Sequence, residues 1–332
     1  MSGRRPVALH TALVVALIAV AGLSLMVGPA GLSPAAVWQA LTAPDQAPAA
    51  IIVYEIRLPR TILGAMVGAS LGLGGAALQG LLRNPLAEPG IIGTSGAAAL
   101  GASLAFYYGL AETGVGALPL SGMAGALIAV VLLFALAGRD ASPLTLILSG
   151  VAIASFAGAL TALVVNLAPS PYAALEITFW LLGSLSDRSF AHVTLAAPFM
   201  VAGWVLMLSG GRGLGALSLG EDTARTMGVA LGALRLRLML GIALAVGAAV
   251  SVSGAIGFVG LVVPHLLRPL VDHQPGRLLA VSALGGAVLV IAADIAARAL
   301  SSGIEIRLGV VTALIGAPFF LMLIYRLRGS LS

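Results

Sequence analysis

RLPRTILGAMVGASLGLGGAALQGLLRNPLAEPGIIG, residues Arg57–Gly93, holds no charged side chain between Arg60 and Arg83. An apolar run of about 20 residues is long enough to cross a bilayer as a helix. Gly64, Gly68 and Gly72 recur every fourth residue and fall on one helical face. Small residues there let membrane helices approach closely, and ordinary bundle packing accounts for such a stripe. The run breaks at Asn84-Pro85-Leu86-Ala87-Glu88-Pro89-Gly90, where two prolines and a glycine force an irregular turn. Non-helical backbone is tolerated at membrane depth only where it is buried in protein or lines a cavity. The segment is therefore either a gate at the end of a pathway or a tight turn with Glu88 paired to an arginine.

The rest of the chain has the same character. Of 332 residues, 60% are hydrophobic and 9% charged, with a mean hydropathy of +1.10. Soluble domains carry about 25% charged residues, so the composition specifies a polytopic helical membrane protein. All 17 basic residues are arginine, and there is no lysine or cysteine. A P-loop needs its lysine, and a Schiff-base mechanism needs an amine. Thiolate chemistry, disulfides and zinc–thiolate sites are excluded as well. His10, His192, His265 and His273 have no metal-ligand spacing. The chain is read as a non-enzyme without cofactor. Its basic pI of 10.4 comes from arginines scattered between apolar runs, which bear on membrane topology rather than nucleic acid.

Ten candidate spans follow: Val7–Val27, Thr61–Leu82, Ile91–Leu110, Leu118–Ala137, Leu144–Leu167, Val193–Leu208, Leu234–Val252, Ala255–Val271, Leu278–Ala299 and Leu308–Tyr325. The first is longer than a signal-peptide core of about 7–15 residues and reads as a retained span. With the N-terminus inside, twelve arginines (Arg4, Arg5, Arg83, Arg139, Arg212, Arg225, Arg235, Arg237, Arg268, Arg277, Arg326 and Arg328) fall on the cytoplasmic side. Arg57, Arg60, Arg188, Arg298 and Arg307 fall outside, so both termini are expected in the cytoplasm. The chain reads as one transmembrane domain over residues 1–332.

Four further features bear on function. Ser33–Ala43 and Pro171–Leu185 read as short interfacial helices on the outer side. Between the sixth and seventh spans, Leu217–Gly228 reads as a short cytoplasmic helix, acidic at its start (Glu221, Asp222), with Arg225 one turn on and Gly228 at its end. It is either a docking knob for a partner or a solvated connector. Outside, Arg57, Arg60 and Arg298 form a basic patch for a partner's carboxylates, or snorkel from helix ends; Asp294 is spaced to pair with Arg298. Finally, Val67-Gly68-Ala69, Gly75-Ala76 and Pro85 recur 179 residues on as Val246-Gly247-Ala248, Gly254-Ala255 and Pro264. Five spans separate the copies, as in the inverted repeats of transporters. Gly254, Gly257 and Gly260 suggest a second small-residue stripe.

The Arg57–Gly93 stretch, together with LGEDTARTMGV (Leu219–Val229), SGAIGFVGLVVPHLLR (Ser253–Arg268) and LGVVTALIGAPFF (Leu308–Phe320) in that order, closely resembles the FecCD family of ABC-transporter permeases. These are membrane subunits of bacterial importers for iron–siderophores, haem and cobalamin. The resemblance implies an all-α, ten-span type II importer fold in the inner (plasma) membrane, assembled as a homodimer. It also implies two cytoplasmic ATPase subunits, a periplasmic substrate-binding protein and a metal-chelate substrate. By the same resemblance, residues 217–228 form a coupling helix whose contacts are Leu219, Gly220, Glu221, Asp222, Arg225, Met227 and Gly228. Arg57, Arg60 and Arg298 match positions that dock the binding protein. Asn84 and Leu86 match one cytoplasmic gate. A second lies near Pro143 and Leu144, apolar where relatives are polar. Many relatives have proline where Arg307 stands, so Arg307 either widens the docking patch or pairs with Glu305. The rival class is an ion-driven secondary transporter, for which Asp294 is the only loosely suitable acid.

Overall fold

A computed structural model describes residues 4–44, 48–138, 141–301 and 305–328; Arg139 lies outside them. The described residues are helical and contain no strand. The helices are α1 (Arg4–Met26), α2 (Pro34–Thr42), α3 (Leu58–Leu82), α4 (Thr94–Tyr107), α5 (Ala117–Ala137), α6 (Pro143–Asn166) and α7 (Pro171–Leu181). After them come α8 (Phe190–Ser209), α9 (Gly211–Leu217), α10 (Glu221–Thr226), α11 (Leu231–Ser253), α12 (Val259–Leu267), α13 (Pro275–Leu300) and α14 (Leu308–Arg328). Three of them start alike: Ser33, Ser142 and Ser170 each precede a proline, and each hydroxyl accepts from the backbone N–H three residues on, at 3.1–3.2 Å. Serine satisfies an orphan donor, and proline removes one at the first helical position.

Among the described residues, seven helices are long and apolar enough to cross a membrane. They are α1, α3 with the π-helical turn Ile52–Arg57 before it, α5, α6, α8, α11 and α13. The expected second span therefore starts earlier than Thr61, and Arg57, Pro59 and Arg60 lie within a continuous helix. The expected third and eighth spans are shorter as helices. Ile91–Leu110 opens with a 3-10 turn, Pro89–Ile92, and a left-handed Gly93 (φ 81°) before α4 begins. Ala255–Val271 opens with non-helical backbone, because Gly254 (φ 70°) ends α11 and Phe258 (φ 67°) is left-handed.

Burial separates the centre of the bundle from its rim. In α3 and α11, 78% of the span residues are buried, against 6% in α1, whose sides are left to lipid. The Gly64/Gly68/Gly72 face of α3 lies along α13. A Cβ on Gly68 would overlap the Gly286 carbonyl, and one on Gly72 the Ser282 carbonyl. Gly75 is pressed on the Gly260 backbone of α12 in the same way. The expected Gly254/Gly257/Gly260 stripe is not one helical face, since the first two lie in the link between α11 and α12. At the 179-residue offset, Gly75 sits inside α3 while Gly254 caps α11.

The two ends of the bundle carry different loops. One, the α2 end, gathers residues 24–28, 57–60, 186–188, 294–301 and 305–307. The other, the α10 end, gathers residues 79–83, 212–219 and 268–277. Gly75→Ala is expected to destabilise the purified protein by about 1–3 kcal/mol, because backbone blocks the methyl. Gly158→Ala on α6, where nothing lies within 4 Å, should be neutral or stabilise by up to about 1 kcal/mol. Melting temperatures in detergent check the pair, and equal values for the two variants would refute the close packing.

Candidate functional site

At the α2 end, the three arginines expected to dock a partner converge on one another. Asp294, almost wholly buried on α13, is the hub for two of them, Arg60 and Arg298. Arg60 donates to it from Nε and Nη2, the latter at 2.8 Å, and Arg298 pairs with it from Nε at 3.0 Å. The expected Asp294–Arg298 pair is thus present but shared with Arg60. Arg60 also pairs with Glu305 at 2.6 Å, and Ser186 Oγ donates to that carboxylate. Arg57 and Arg298 reach the last turn of α1. Arg57 Nη1 donates to the Leu25 and Met26 carbonyls at 2.6 and 2.9 Å, and Arg298 donates to the Ser24 and Val27 carbonyls and to Ser24 Oγ. They satisfy the carbonyls that a helix C-terminus leaves orphaned. Arg57 is 4% exposed, whereas Arg60 and Arg298 line an outward cavity of about 580 Å³ walled by Val27, Gly28 and Pro29.

The remaining arginines of this end are also engaged. Arg188, without an expected role, donates from Nε to the Val252 carbonyl at 2.6 Å, near the end of α11. Arg307 does not pair with Glu305; its guanidinium lies 5.3 Å from the Phe179 ring centroid. Burial by itself would raise the Glu305 carboxyl. Hydrogen bonds from Ser186 and Arg60 and the charges of Arg60 and Arg307 outweigh it and hold the group below the usual carboxylate range. Sequence reasoning missed Ser24, Ser186 and the Glu305–Arg60 bond, because the partners lie 119–274 residues apart.

At the α10 end, the expected helix over 217–228 is two short helices hinged at Ser218–Gly220. Gly220 (φ 113°) precedes α10, and Gly228 (φ 81°) follows it. Glu221 pairs with the buried Arg235 of α11 at 2.8 Å, an anchor the sequence did not suggest. Arg225 only approaches Glu221 and Asp222, at 3.8 Å each, and is exposed. Ala224 packs inward while Leu219 and Met227 are 65% and 61% exposed, so the turns on either side of α10 present two large apolar side chains outward.

The NPLAEPG segment starts after a left-handed Arg83 (φ 51°). Asn84 Oδ1 accepts from Leu86 N–H at 2.9 Å, closing a local turn. Glu88 accepts from the Phe258 backbone N–H rather than pairing with an arginine, and Thr94 Oγ1 donates to the Pro89 carbonyl at 3.2 Å. The segment thus rises back into the bundle, with Pro89 against Gly74 and Gly260. Helix α6 meets it at Ile91–Gly93 through Gly150 and Ile153, further along than Pro143 and Leu144. Leu144 is exposed.

Comparison with known proteins fits this architecture. Residues 15–326 match the FecCD transport family. The chain is 44% identical over 299 residues to the cobalamin import system permease protein BtuC of Halobacterium salinarum, covering 86% of this chain and 79% of that one. It is 38% identical over 314 residues to the Fe(3+) dicitrate transport system permease protein FecD of Escherichia coli K12, covering 94% and 97%. Among solved structures, a metal-chelate type ABC transporter in an inward-facing conformation superposes with a TM-score of 0.84 at 32% identity, over 96% of this chain and 99% of that one.

Asp294→Asn is expected to cost about 3–5 kcal/mol, because it leaves the buried Arg298 without a carboxylate and Arg60 with Glu305 alone. A melting temperature within error of the parent would refute the hub. The depressed Glu305 group contributes stability that is fully present above its unfolded value, near ~4.3. That contribution is lost as pH falls through the lower folded value. Glu305→Gln should accordingly flatten the acid limb of a melting-temperature profile, and an unchanged limb would count against the assignment.

Proposed function

The chain belongs to the FecCD transport family and is the permease subunit of an ABC importer, and we propose that its cargo is a metal chelate: an iron–siderophore, haem or cobalamin. What supports the cargo class is that the whole chain matches permeases named for cobalamin and ferric citrate and a metal-chelate transporter structure. Ten spans are reached by adding α4, α12 with its following 3-10 turn, and α14 to the seven long helices, with α3–α4 and α11–α12 as counterparts in an inverted repeat. The α10 end faces the cytoplasm, where Arg83, Arg212, Arg225, Arg235, Arg237, Arg268 and Arg277 cluster under the positive-inside rule.

On this reading two copies of the chain flank the pathway. Two ATPase subunits, which supply the P-loop lysine this chain lacks, seat on α10 through Leu219, Gly220, Asp222, Arg225, Met227 and Gly228. Glu221 holds the helix to Arg235 instead of contacting the partner. A periplasmic binding protein docks an acidic side chain in the cavity floored by Arg60 and Arg298, while Arg57 keeps the end of α1 in place as its wall. ATP-driven motion of α10 shifts the segment around Asn84 and Leu86 and the start of α6 at Pro143 and Leu144, and the pathway opens alternately to the two sides. Asp294, already paired with two arginines, is poorly suited to the proton relay of an ion-driven carrier.

Reconstituted with its ATPase and binding protein, the chain is expected to take up chelate only when ATP is supplied, and uptake driven by a proton gradient without ATP would overturn the reading. Leu219→Glu with Met227→Glu should abolish co-purification of the ATPase subunit. Arg60→Glu or Arg298→Glu should weaken binding-protein docking roughly tenfold or more with ATPase assembly intact. Melting temperatures separate lost docking from lost folding, and unchanged docking in folded variants would refute the patch.

A further inference from the structure

At the α10 end, a cleft of about 710 Å³ opens between the end of α8, helix α9 and the start of α13. Arg212, Arg277 and His273 line it beside Leu219, which borders the ATPase seat proposed above, and Ser218, His273 and Pro275 are shared with a neighbouring lobe of about 190 Å³ that adds Arg83 and Arg268. Four guanidiniums therefore line two adjoining cavities. The only acid lining them is Asp272, which lies 3.8 Å from Arg277 and is largely exposed. Arg268 turns one nitrogen to Gln79, while its buried Nε has no partner. The N-terminus of the 26-residue α13 opens here too, and Gln274 gives it no side-chain cap, so its positive end adds to the field. The space is built for an anion.

Its surroundings specify the kind of anion. Val201, Val205 and Leu208 follow one face of α8 at i, i+4 and i+7, and all three are 46–61% exposed. Leu208 is itself a wall of the cleft. An apolar track along a spanning helix thus ends in a basic cleft at headgroup depth. Basic pockets between membrane helices on the cytoplasmic side bind acidic headgroups. We propose that this cleft holds the phosphate of an anionic phospholipid, with an acyl chain along Val201, Val205 and Leu208. The leaflet follows from the orientation proposed above; the binding does not depend on transport.

The test uses the purified full-length permease, titrated in detergent with phosphatidylglycerol and with phosphatidylcholine of equal chain length and read by native mass spectrometry. Phosphatidylglycerol should be preferred roughly tenfold or more. That preference should disappear in the Arg212→Gln/Arg277→Gln variant and persist in Arg237→Gln, outside the cleft. Both altered arginines of the double variant are exposed, so an unchanged melting temperature is expected and is measured alongside. Equal binding of the two lipids, or an undiminished preference in the double variant, overturns the proposal. Displacement by millimolar inorganic phosphate would assign the site to free phosphate, and displacement by added ATPase subunit would assign the arginines to that interface; either result overturns the lipid assignment. Since the readout is lipid bound rather than chelate transported, failure of the importer reading would be seen separately.

Discussion

The contact on which this bundle depends is backbone against backbone, where α3 crosses α13 and α12. Lipid tails are as apolar as leucine, so membrane helices gain little from hydrophobicity and hold together through close packing. Gly68 and Gly286 face each other so closely that a methyl on either would overlap the other's carbonyl. Gly72 on Ser282 and Gly75 on Gly260 extend the seam. With α3 pinned along its length, its end at Arg83 is fixed, and so is the point from which the NPLAEPG segment turns back. Gln79 Nε2 ties the same helix to the Gly260 carbonyl at 3.2 Å, so the segment, α3 and α12 form one packed unit.

The second constraint is charge at a membrane edge. Five arginines stand at the α2 end, and each has an internal partner. Two staple the last turn of α1, one shares the Asp294 hub and Glu305, one reaches the Val252 carbonyl, and one rests on Phe179. Helix α1 buries little of its own surface, so these bonds do much of the work of keeping it on the bundle. Two of these guanidiniums, Arg60 and Arg298, also floor an outward cavity, so the cavity and the fold draw on the same side chains.

At the opposite end, polar anchoring and apolar display are divided within one short helix. Glu221 is committed to Arg235 and Ala224 packs inward, which leaves Leu219, Asp222 and Met227 facing out. The residue pattern of a cytoplasmic helix with an acidic start and a glycine stop is visible in the chain. The buried arginine that orients it is not, because its partner lies 14 residues away on the next helix.

The amino-acid sequence alone determined the membrane class, the approximate places of the seven long apolar helices and the face of α3 that packs. These follow from composition and from periodicity within single helices, where physical neighbours are also neighbours in the chain. The Ser-Pro helix starts, the NPLAEPG break and the Asp294–Arg298 pair belong with them. Tertiary structure alone decided the rest. It made the Arg57/Arg60/Arg298 patch a clamp around Asp294 and α1, sent Glu88 to the Phe258 backbone, turned Arg307 to Phe179, and shortened α4 and α12 with left-handed residues. Each outcome depends on groups brought together from distant segments, and no local pattern encodes which carbonyl or carboxylate an arginine will find once the helices have packed.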